Sequence, residues 1–494
     1  MRVLIASSEI VPFAKTGGLA DVTGALAKAL RRIGVEADCV LPLYRSVDRS
    51  RFPLTPAGAS VRVPLGHREE TGTIEESDGA NGVRAFLVRN DRYFDREFFY
   101  GTKEGEYADN CERFTFFCRA VMEWLVRTRR SYDVLHCNDW QTALIPAYAR
   151  TLYSQEEAVR NAGTVFTIHN LGYQGLFWNH DLPLTGLGWE LFTPQGLEFY
   201  GKLNLMKGGL VFADVLSTVS PTYSREIQTP EYGHGLEGVL YERRGDLYGI
   251  INGIDYEEWD PGTDRLIAAT YSREDLSGKK TCRADLLAEF GWSGPVDEPV
   301  IGMVGRLTAQ KGFDLIAEIG EWLAGQRVRV VLLGFGERSY ETSMSELGRR
   351  YPDRISVRLA YDNRLAHKVE AGADIFVMPS RYEPCGLNQI YSLKYGTVPL
   401  VRDTGGLADT VVDADADPER GTGFKFKGYE ASELKGAVSR ALAAYADRSR
   451  WEGIVRRGME KDFSWEPSAR EYVALYQKAL QKRGRPKGGS PAQG

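Results

Sequence analysis

The sequence has no marked excess of charge of either sign and no long run of apolar residues. Its 494 residues include 62 lysines and arginines against 67 aspartates and glutamates, a formal net charge of −5. This balance gives no electrostatic reason to expect nucleic acid or an anionic membrane as a partner. No apolar run approaches the roughly 18 residues that span a bilayer, and the first residues lack the pattern of a signal peptide. We therefore expect a cytoplasmic protein with no membrane or nucleic-acid partner.

Cysteine and histidine are too few and too scattered for a metal or disulfide framework. The six cysteines form no Cys-x-x-Cys pair, and the six histidines show no ligand spacing. The acidic run Asp413-x-Asp415-x-Asp417 has the spacing of a calcium loop, but Pro418 occupies the required glycine position and Phe424 the required glutamate position. We interpret this run as a solvated acidic loop, and we predict no metal or other cofactor.

The glycine-rich fingerprints of two common nucleotide-binding folds are also missing. Gly-x-Gly-x-x-Gly does not follow the first apolar run, Val3–Ala6, and no Gly-x-x-x-x-Gly-Lys-Ser/Thr is present. These absences disfavour an NAD-dependent enzyme and an ATPase with a P-loop.

What the sequence does contain is a regular alternation of short apolar runs and amphipathic helical patterns. The apolar runs predict strands at 2–6, 36–41, 61–65, 83–88, 133–136, 164–168 and 215–219. The helical patterns predict helices at 20–32, 107–129, 140–150 and 202–213. This alternation is typical of parallel sheets covered by helices on both faces, so we predict an α/β fold with doubly wound sheets.

A second series of the same kind follows a polar stretch. Its strands are predicted near 300–304, 328–333, 355–359, 374–378 and 398–401. The predicted organisation is a first domain over 1–255, a linker over 256–298, a second domain over 299–465, a C-terminal helix over 466–481 that crosses back to the first domain, and a disordered tail over 482–494.

A hexapeptide, Thr-Gly-Gly-Leu-Ala-Asp, occurs once in each half, at 16–21 and 404–409. Each copy follows an apolar run and precedes a helical pattern. Adjacent glycines let the backbone approach a bulky ligand, and the N–H groups at the start of a helix attract anions. Lys15 adds a positive charge to the first copy. We interpret the two copies as anion-facing turns, one on each half.

Polar residues follow several predicted strands, where ligands of open α/β sheets bind. In the first half, Asp139 follows the strand that ends near His136, and His169-Asn170 follows 164–168. Such a lining suits a sugar. In the second half, Gly305–Gly312 places two cations five residues apart in a loop after a strand, and these could neutralise a leaving diphosphate without a metal. A solvated surface loop is the alternative.

The segment Met378–Leu387 combines a carboxylate, Glu383, with Pro384 and Gly386 just before a helical pattern. A carboxylate could hold sugar hydroxyls there, and the helix start could hold phosphate oxygens. Glu383 is alternatively a charge that complements a helix dipole, but the proline and glycine favour close backbone approach to a ligand.

Taken together, the motifs resemble those of bacterial glycogen synthases and plant starch synthases over residues 1 to about 480. The motifs are 15–21, 136–140, 169–170, 252–255, 305–312 and 383–387. The resemblance implies a GT-B fold, with two Rossmann-like domains facing a central cleft. It also implies an enzyme that transfers glucose from ADP-glucose to the non-reducing-end 4-hydroxyl of an α-1,4-glucan, with retention of configuration and without a metal.

The resemblance carries roles over to individual residues. It assigns ADP-glucose binding to Lys15, Gly17, Gly18, Asp21, Asn252, Arg306, Lys311, Tyr361, Glu383, Cys385, Gly386 and Leu387. It assigns catalytic roles to Asp139, His169, Asn170, Arg306, Lys311 and Glu383. In this scheme the cations neutralise the departing diphosphate, Glu383 holds glucose hydroxyls, and Tyr361 stacks on adenine.

The chain departs from the pattern of related transferases at three places. Tyr391 stands where many carry a second glutamate, Gln141 stands where bacterial members often have histidine, and 94–100 lacks a proline and a glycine common in the family. Other interpretations remain open: a retaining GT-B transferase that makes sucrose phosphate or trehalose phosphate, or a glucan-binding scaffold without activity. The sequence also leaves open UDP-glucose as donor and assembly into a homo-oligomer.

Overall fold

A computed structural model describes residues 1–58, 60–79, 82–292 and 297–484. The chain divides into two compact units. Of the described residues, the first unit contains those of Met1–Val219, Ser224–Gly253 and 465–484, and the second contains those of Ser220–Tyr223 and Ile254–Ser464.

The strands are numbered along the chain. They are β1 Arg2–Ala6, β2 Glu36–Pro42, β3 Thr55–Pro56, β4 Val61–Leu65, β5 Arg68–Asp78, β6 Arg84–Arg89, β7 Gly101–Thr102, β8 Gly105–Glu106, β9 Val134–Asn138, β10 Gly163–Ile168, β11 Leu176–Trp178, β12 Glu198–Phe199, β13 Lys202–Asn204, β14 Val215–Thr218, β15 Leu247–Gly249, β16 Val300–Leu307, β17 Arg329–Gly336, β18 Ile355–Leu359, β19 Ile375–Met378, β20 Val398–Arg402 and β21 Phe424–Phe426.

The α-helices are numbered in the same way. They are α1 Gly18–Arg32, α2 Asp91–Phe94, α3 Asn110–Arg127, α4 Leu144–Arg150, α5 Leu182–Thr185, α6 Leu205–Phe212, α7 Pro221–Glu226, α8 Glu237–Glu242, α9 Ser277–Glu289, α10 Phe313–Ala324, α11 Arg338–Arg350, α12 Asn363–Gly372, α13 Asn388–Lys394, α14 Gly405–Thr410, α15 Ala431–Ala446, α16 Arg448–Glu460 and α17 Trp465–Lys482. Short 3-10 helices occupy Trp140–Thr142, Asn179–Asp181, Trp189–Leu191, Arg244–Asp246 and Ala309–Lys311.

The main sheet of the first unit has the order β15-β14-β10-β9-β1-β2-β6-β5-β3, with β4 paired to β5. The strands from β15 to β6 are parallel, and β3, β4 and β5 pair antiparallel at one side. The chain leaves β1 for one neighbour, β2, and later returns to its other side with β9. In such a sheet the ligand crevice lies beyond the carboxyl ends of the strands at this switch point.

The sheet of the second unit has the order β18-β17-β16-β19-β20-β21, and all its pairs are parallel. Its switch point lies between β16 and β19. Buried residues alternate between the faces of β16: Ile301 and Met303 join one apolar cluster, and Val300 joins the other. This alternation follows from the two-residue period of a strand and buries both faces of the sheet under helices.

Helix α1 follows directly from its residues. Thr23, Leu26, Ala27 and Leu30 form a buried stripe at i, i+3, i+4 and i+7, which is the spacing of one helical face. Asp21 lies in the first turn, and arginines lie in the last turn, so both charges complement the helix dipole. The helix ends just before Gly34, whose φ of 84° is left-handed. The N-terminus of α1 is thereby held at the carboxyl edge of β1.

The predicted α/β class and the two doubly wound sheets are confirmed. The described residues of the segment 256–298, predicted to be a linker, instead lie within the second unit. It contains α9, whose Leu286 and Leu287 join an apolar cluster with the sheet. Its polar sequence misled the prediction because only one face of α9 is buried. Strand β5 was not predicted, since charged residues alternate with its few buried ones.

Other predictions concern the cysteines, the membrane and the tail. All six cysteines are buried and free of disulfides. Within the described ranges, no helix combines the length and apolar character needed to cross a membrane. The predicted tail begins at Lys482, the last residue of α17, and its residues 485–494 lie outside the described part of the chain.

Candidate active site

The closest charged contact at the carboxyl edge of the second sheet joins Lys311 to Glu383. The two residues come from the loops that follow β16 and β19, the strands that flank the switch point. The Lys311 Nζ lies 2.9 and 2.6 Å from the two carboxylate oxygens, and the Ser380 hydroxyl donates to Oε2 at 3.0 Å. Glu383 is only 5% exposed, so these donors replace the water that would otherwise stabilise its charge. The pair fixes an ammonium where ligands of such sheets bind.

Backbone contacts hold these two loops together. The Arg381 N–H donates to the carbonyl of Gln310 at 2.8 Å, and the Gln310 side-chain amide donates to the carbonyl of Tyr382 at 3.2 Å. Gly312 has a φ of 75°, and a Cβ there would lie 2.0 Å from the Pro379 carbonyl oxygen. Only glycine fits this position, so the Gly after Lys311 is required for the approach of the two loops.

The other predicted cation, Arg306, lies near the end of β16 and is exposed. Among the described residues, its side chain has no hydrogen-bond or ion-pair partner. Tyr361 follows β18 and is 68% exposed, and its ring meets that of Phe335 edge-on at 6.0 Å. Phe335 was not predicted, because a single aromatic residue at the end of an apolar strand gives no signal of its own. The guanidinium of Arg306 and the rings of Phe335 and Tyr361 thus lie along the carboxyl edge of the second sheet.

The loop from Cys385 to Leu387 leads into α13. Gly386 has a φ of 72°, which favours glycine. The Gln389 side-chain amide donates to the carbonyls of Cys385 and Gly386 at 2.9 and 3.0 Å. Cys385 is buried and Leu387 is half-buried. These bonds orient the loop backbone beside Glu383.

The second Thr-Gly-Gly-Leu-Ala-Asp turn packs closely against the loop that carries Glu383, and its role as an anion-facing turn stays a prediction. Its Gly406 N–H donates to the carbonyl of Glu383 at 3.0 Å. A Cβ on Gly405 would lie 1.9 Å from the same oxygen, and one on Gly406 would lie 2.1 Å from the carbonyl oxygen of Cys385. The two glycines therefore let α14 pack against the backbone of the Glu383 loop. Their role is to support the loop that carries Glu383.

The first copy of the turn is built differently. Gly17 is the N-cap of α1, has an extended φ of −158°, and offers open space around an added Cβ. Its N–H donates to the buried carboxylate of Glu9 at 3.2 Å. Gly18 begins the helix, and the Lys15 ammonium lies 2.7 Å from Asp21 Oδ1. Burial raises the pKa of Asp21, and the adjacent Lys15 offsets part of that effect.

Asp139 occupies a strained backbone position at the end of β9. Its φ of 56° and ψ of 178° lie in a region that costs a non-glycine residue about 1–3 kcal/mol and is concentrated at functional sites. Its Oδ1 accepts the N–H of His169 at 2.7 Å, which joins the ends of β9 and β10. The strain is therefore offset by contacts that aim this carboxylate at the edge of the sheet.

The ring of His169 is oriented by a residue that the sequence analysis did not single out, Asn138. The Asn138 side-chain amide nitrogen donates to the Ala6 carbonyl at 3.0 Å, so its oxygen faces His169 Nε2 at 2.9 Å. Because that oxygen only accepts, Nε2 carries the proton and Nδ1 keeps its lone pair. Burial lowers the pKa of His169 to about 3, so the ring is neutral at pH 7.

The pKa of Asp139 is shifted in the opposite direction to that of His169. Burial raises its pKa to about 7, backbone N–H groups of His169 and Asn170 oppose this, and the negative charge of Glu9 adds to it. A carboxylate that titrates near neutral pH, beside a neutral imidazole, is a typical arrangement of a functional site.

Three further residues from the sequence motifs have distinct environments. The Asn170 side-chain oxygen accepts the Gly172 N–H at 2.9 Å and shapes the loop after β10. Asn252 is buried, and its Oδ1 has no hydrogen-bond partner among the described residues. His136 is fully buried, lies 2.9 Å from the Tyr476 hydroxyl, and has a pKa lowered by burial to about 3. His136 is therefore a packing residue.

The predicted site residues thus form two groups at two sheet edges. The first unit carries Lys15, Gly17, Gly18, Asp21, Asp139, His169, Asn170 and Asn252. The second unit carries Arg306, Lys311, Tyr361, Glu383, Cys385, Gly386 and Leu387.

The described residues contain no group of three or more histidine, cysteine, aspartate or glutamate side chains placed to hold a metal ion. The acidic run 413–417 is instead paired with arginines: Arg440 contacts Asp413 and Asp415, and Arg420 contacts Asp417 at 2.6 Å. These contacts tie the loop to α15.

Comparison with known proteins identifies the family of the chain. A family model described as the starch synthase catalytic domain matches residues 2–242, and one described as glycosyl transferases group 1 matches 289–457. The chain is 51% identical to the glycogen synthase of Koribacter versatilis, over 98% of this chain and 99% of that protein. The chain belongs to the glycogen and starch synthase family. It is therefore a glucosyltransferase, as predicted.

Other members of the glycogen and starch synthase family agree in length and fold. Glycogen synthase 2 of Geobacter sulfurreducens is 46% identical over 98% of this chain and 100% of its own. The catalytic domain of starch synthase IV from Arabidopsis thaliana, solved with ADP and acarbose, matches with a TM-score of 0.90 and 32% identity, covering 97% of this chain and 99% of that one. The GT-B fold is confirmed. Sucrose-phosphate synthase of Thermosynechococcus elongatus, at 18% identity and a TM-score of 0.60, shares the fold.

Proposed function

We propose that this chain is a glycogen synthase that transfers glucose from ADP-glucose to the non-reducing-end 4-hydroxyl of an α-1,4-glucan. Configuration at the anomeric carbon is retained, and no metal takes part. The observation that carries the proposal is the pair of half-buried Lys311 and buried Glu383 at the switch point of the second sheet, with Arg306 exposed nearby. The glycogen synthases among its relatives and the ADP bound to starch synthase IV support the donor and acceptor.

The second unit provides the groups for the nucleotide diphosphate. Arg306 and Lys311 supply two positive charges, and a fixed cation lowers the energy of a leaving diphosphate without reorganisation at the moment of reaction. Glu383 keeps Lys311 in place while its carboxylate accepts hydrogen bonds from glucose hydroxyls. The rings of Tyr361 and Phe335 are exposed and meet edge-on, so adenine can contact the face of one ring and the edge of the other.

The first unit provides neutral and weakly acidic groups for the sugar. The Nδ1 of His169 keeps its lone pair and can accept a hydroxyl hydrogen of glucose. A neutral ring adds no further positive charge beside the sugar. Asp139, with a pKa near 7, lies beside it and faces the reacting edge. Lys15 and the first N–H groups of α1 contribute to the diphosphate.

Since burial of six scattered thiols suits a reducing compartment, we place the reaction in the cytoplasm.

Transfer of labelled glucose to glycogen tests the proposal directly. ADP-glucose and UDP-glucose are compared as donors, in EDTA, and the product is analysed for α-1,4 linkages by amylase digestion and by the anomeric proton signals. Faster transfer from ADP-glucose into α-linked glucan is expected. Transfer to fructose 6-phosphate or glucose 6-phosphate, in place of glycogen, would instead favour a sucrose- or trehalose-phosphate synthase. No transfer to any acceptor would leave a glucan-binding scaffold.

A further inference from the structure

A buried glutamate lies between the first strand and the turn Lys15–Gly18. Glu9 is only 4% exposed. Its Oε2 accepts the backbone N–H groups of Thr16 and Gly17, the second at 3.2 Å, and its Oε1 accepts the Thr16 hydroxyl at 2.6 Å. One carboxylate therefore makes three bonds to two successive residues of the turn.

The same carboxylate also reaches a distant segment. The Tyr100 hydroxyl donates to Glu9 Oε1 at 2.6 Å and lies 2.8 Å from the Ser8 hydroxyl. Because the single hydroxyl hydrogen of Tyr100 is used on Glu9, Ser8 is the donor in the second contact. Tyr100 ends the segment 94–100, which lacks the proline and the glycine often found in the family. Glu9 thus joins the Lys15–Gly18 turn to this segment.

The backbone of Glu9 is fixed as firmly as its side chain. The hydroxyls of Ser7 and Thr23 donate to its carbonyl, each at 2.8 Å, and its own N–H donates to the Ser7 hydroxyl at 3.3 Å. Thr23 lies in α1, so the contact spans both ends of the loop between β1 and α1. A buried charge with so many donors is expensive to move. Glu9 is therefore a rigid reference point for the turn.

The bonds to Glu9 divide the N–H groups of the turn into two sets. Those of Thr16 and Gly17 face the carboxylate and are not available to a phosphate. Those of Gly18 and Leu19, at the first turn of α1, have no acceptor within the helix because of their position, and that of Ala20 donates to the Gly17 carbonyl at 3.3 Å. We propose that Glu9 is a positioning residue of the transferase: it fixes the turn so that Lys15 and the start of α1 are presented to the donor diphosphate. The inference rests on the function proposed above.

Pre-formed geometry of this kind improves binding because the loop does not have to be ordered when the ligand arrives.

Glu9→Gln is the sharpest test. The amide keeps the size but has one acceptor oxygen where the carboxylate has two and carries no charge, so it cannot accept the two N–H groups and both hydroxyl hydrogens together. We expect the KM for ADP-glucose to rise about tenfold or more, since a hydrogen bond to a charged group is lost, while the KM for glycogen changes less than about threefold.

Asp38→Asn is the matched control. Asp38 is also buried in the first unit, and it accepts the Tyr132 hydroxyl at 2.8 Å. It belongs to β2 and holds no residue of the turn. Both KM values should stay within about twofold of the parent protein. An equal rise in the KM for ADP-glucose in Asp38→Asn would show that any buried carboxylate has this effect, and would overturn the proposal.

Hydrogen exchange followed by mass spectrometry provides a readout that does not depend on activity. In the parent protein without ligand, peptides covering 14–20 should exchange slowly. In Glu9→Gln they should exchange at least about tenfold faster, with peptides from the second unit unchanged. Unchanged exchange together with an unchanged KM for ADP-glucose would overturn the proposal.

Two further variants protect the test. If Glu9→Gln fails to fold, Thr16→Val removes only the hydroxyl bond to Glu9 and should raise the KM for ADP-glucose about threefold; no rise would contradict the proposal. In a double-mutant cycle, Lys15→Ala and Glu9→Gln should combine to less than the product of their separate effects, because both act on one turn. A parent protein that transfers no glucose would contradict the proposed function, and the exchange experiment would still decide whether Glu9 fixes the turn.

Discussion

The same hexapeptide, Thr-Gly-Gly-Leu-Ala-Asp, has opposite surroundings in the two units. At 16–21 the first glycine, Gly17, adjoins open space and has an extended φ, and a buried carboxylate accepts its N–H. At 404–409 the first glycine has a φ of 47°, and both lie against the backbone of the loop 383–385. Identical residues thus form an open turn in one place and a packing contact in the other.

The difference shows that segments outside the turn determine its conformation and its contacts. The first turn is held by Glu9, seven residues before Thr16, and the second by the Glu383 loop, which follows another strand. The two units also hold their site carboxylates differently. Glu383 is paired with an ammonium, whereas Asp139 is held by backbone N–H groups and by a strained φ. The following predictions test these contrasts, from the largest expected effect to the smallest.

The largest effect should come from the packed turn. Gly405→Ala places a Cβ 1.9 Å from the Glu383 carbonyl oxygen at a left-handed φ, so we expect a loss of about 3 kcal/mol or more in the free energy of unfolding, and loss of activity with it. Gly17→Ala, the matched change in the open turn, should cost less than about 1 kcal/mol. Urea unfolding of both variants measures this. Equal stability losses would remove the contrast between the turns.

The next effect concerns the paired carboxylate. Glu383→Ala should lower kcat by about 30- to 1,000-fold, corresponding to about 2–4 kcal/mol, while the Kd for free ADP changes much less, because we assign its carboxylate to the sugar. Glu298→Ala is the control, since Glu298 also pairs with cations in the second unit, Arg329 and Arg354. Calorimetry with ADP and initial rates give the two values. A fall in ADP affinity as large as the fall in kcat would show that Glu383 serves the nucleotide.

A smaller effect is expected for the unpaired carboxylate. The folded-state pKa of Asp139 is about 7, above the 3.8 of an ordinary aspartate, so the folded protein loses stability as pH rises from about 4 through 7. Asp139→Asn removes the buried charge and should raise the free energy of unfolding at pH 8 by on the order of 2 kcal/mol, with little change at pH 4. Urea unfolding at both pH values checks this. A variant that is less stable at pH 8 would show that the charged form is the favoured one.

The smallest effect is expected from chelation. If Arg306 and Lys311 carry the charge of the leaving diphosphate, EDTA should change the transfer rate by less than about twofold. Strict dependence on added magnesium or manganese, restored by titrating the metal back, would contradict this assignment. Arg306→Ala, assayed in EDTA, is the companion variant. Its transfer rate should be lower than that of the parent protein, which EDTA leaves nearly unchanged.

The sequence predicted what depends on local patterns. Apolar runs such as Val3–Ala6 and Val300–Val304 are strands, because burial on both faces of a parallel sheet requires them. Strand β5 escaped prediction because only one of its faces is buried, and α9 was interpreted as a linker for the same reason.

The site was predictable where motifs carry its residues and not where partners are distant in sequence. Lys311 and Glu383 belong to separate motifs, and their direct contact became visible only in the folded chain. Glu9 and Phe335 have no motif that distinguishes them from ordinary residues of a strand end, and Asn138 lies in the motif 136–140 but had no role assigned to it. Their roles follow from geometry, since each contacts a residue that the motifs had marked.

The return of the chain to its first unit bears on how the protein is made. Helix α17 is synthesised after the whole second unit, yet it packs against α1 and β10 and places Tyr476 on the buried His136. Ser468 also donates to the carbonyl of Ile251 at 2.6 Å. On the ribosome, the second unit therefore has all its strands before the first unit has its last helix. A nascent chain that has not reached Trp465 carries an uncovered apolar face on the part that emerged first, and that face is what a chaperone would meet during translation.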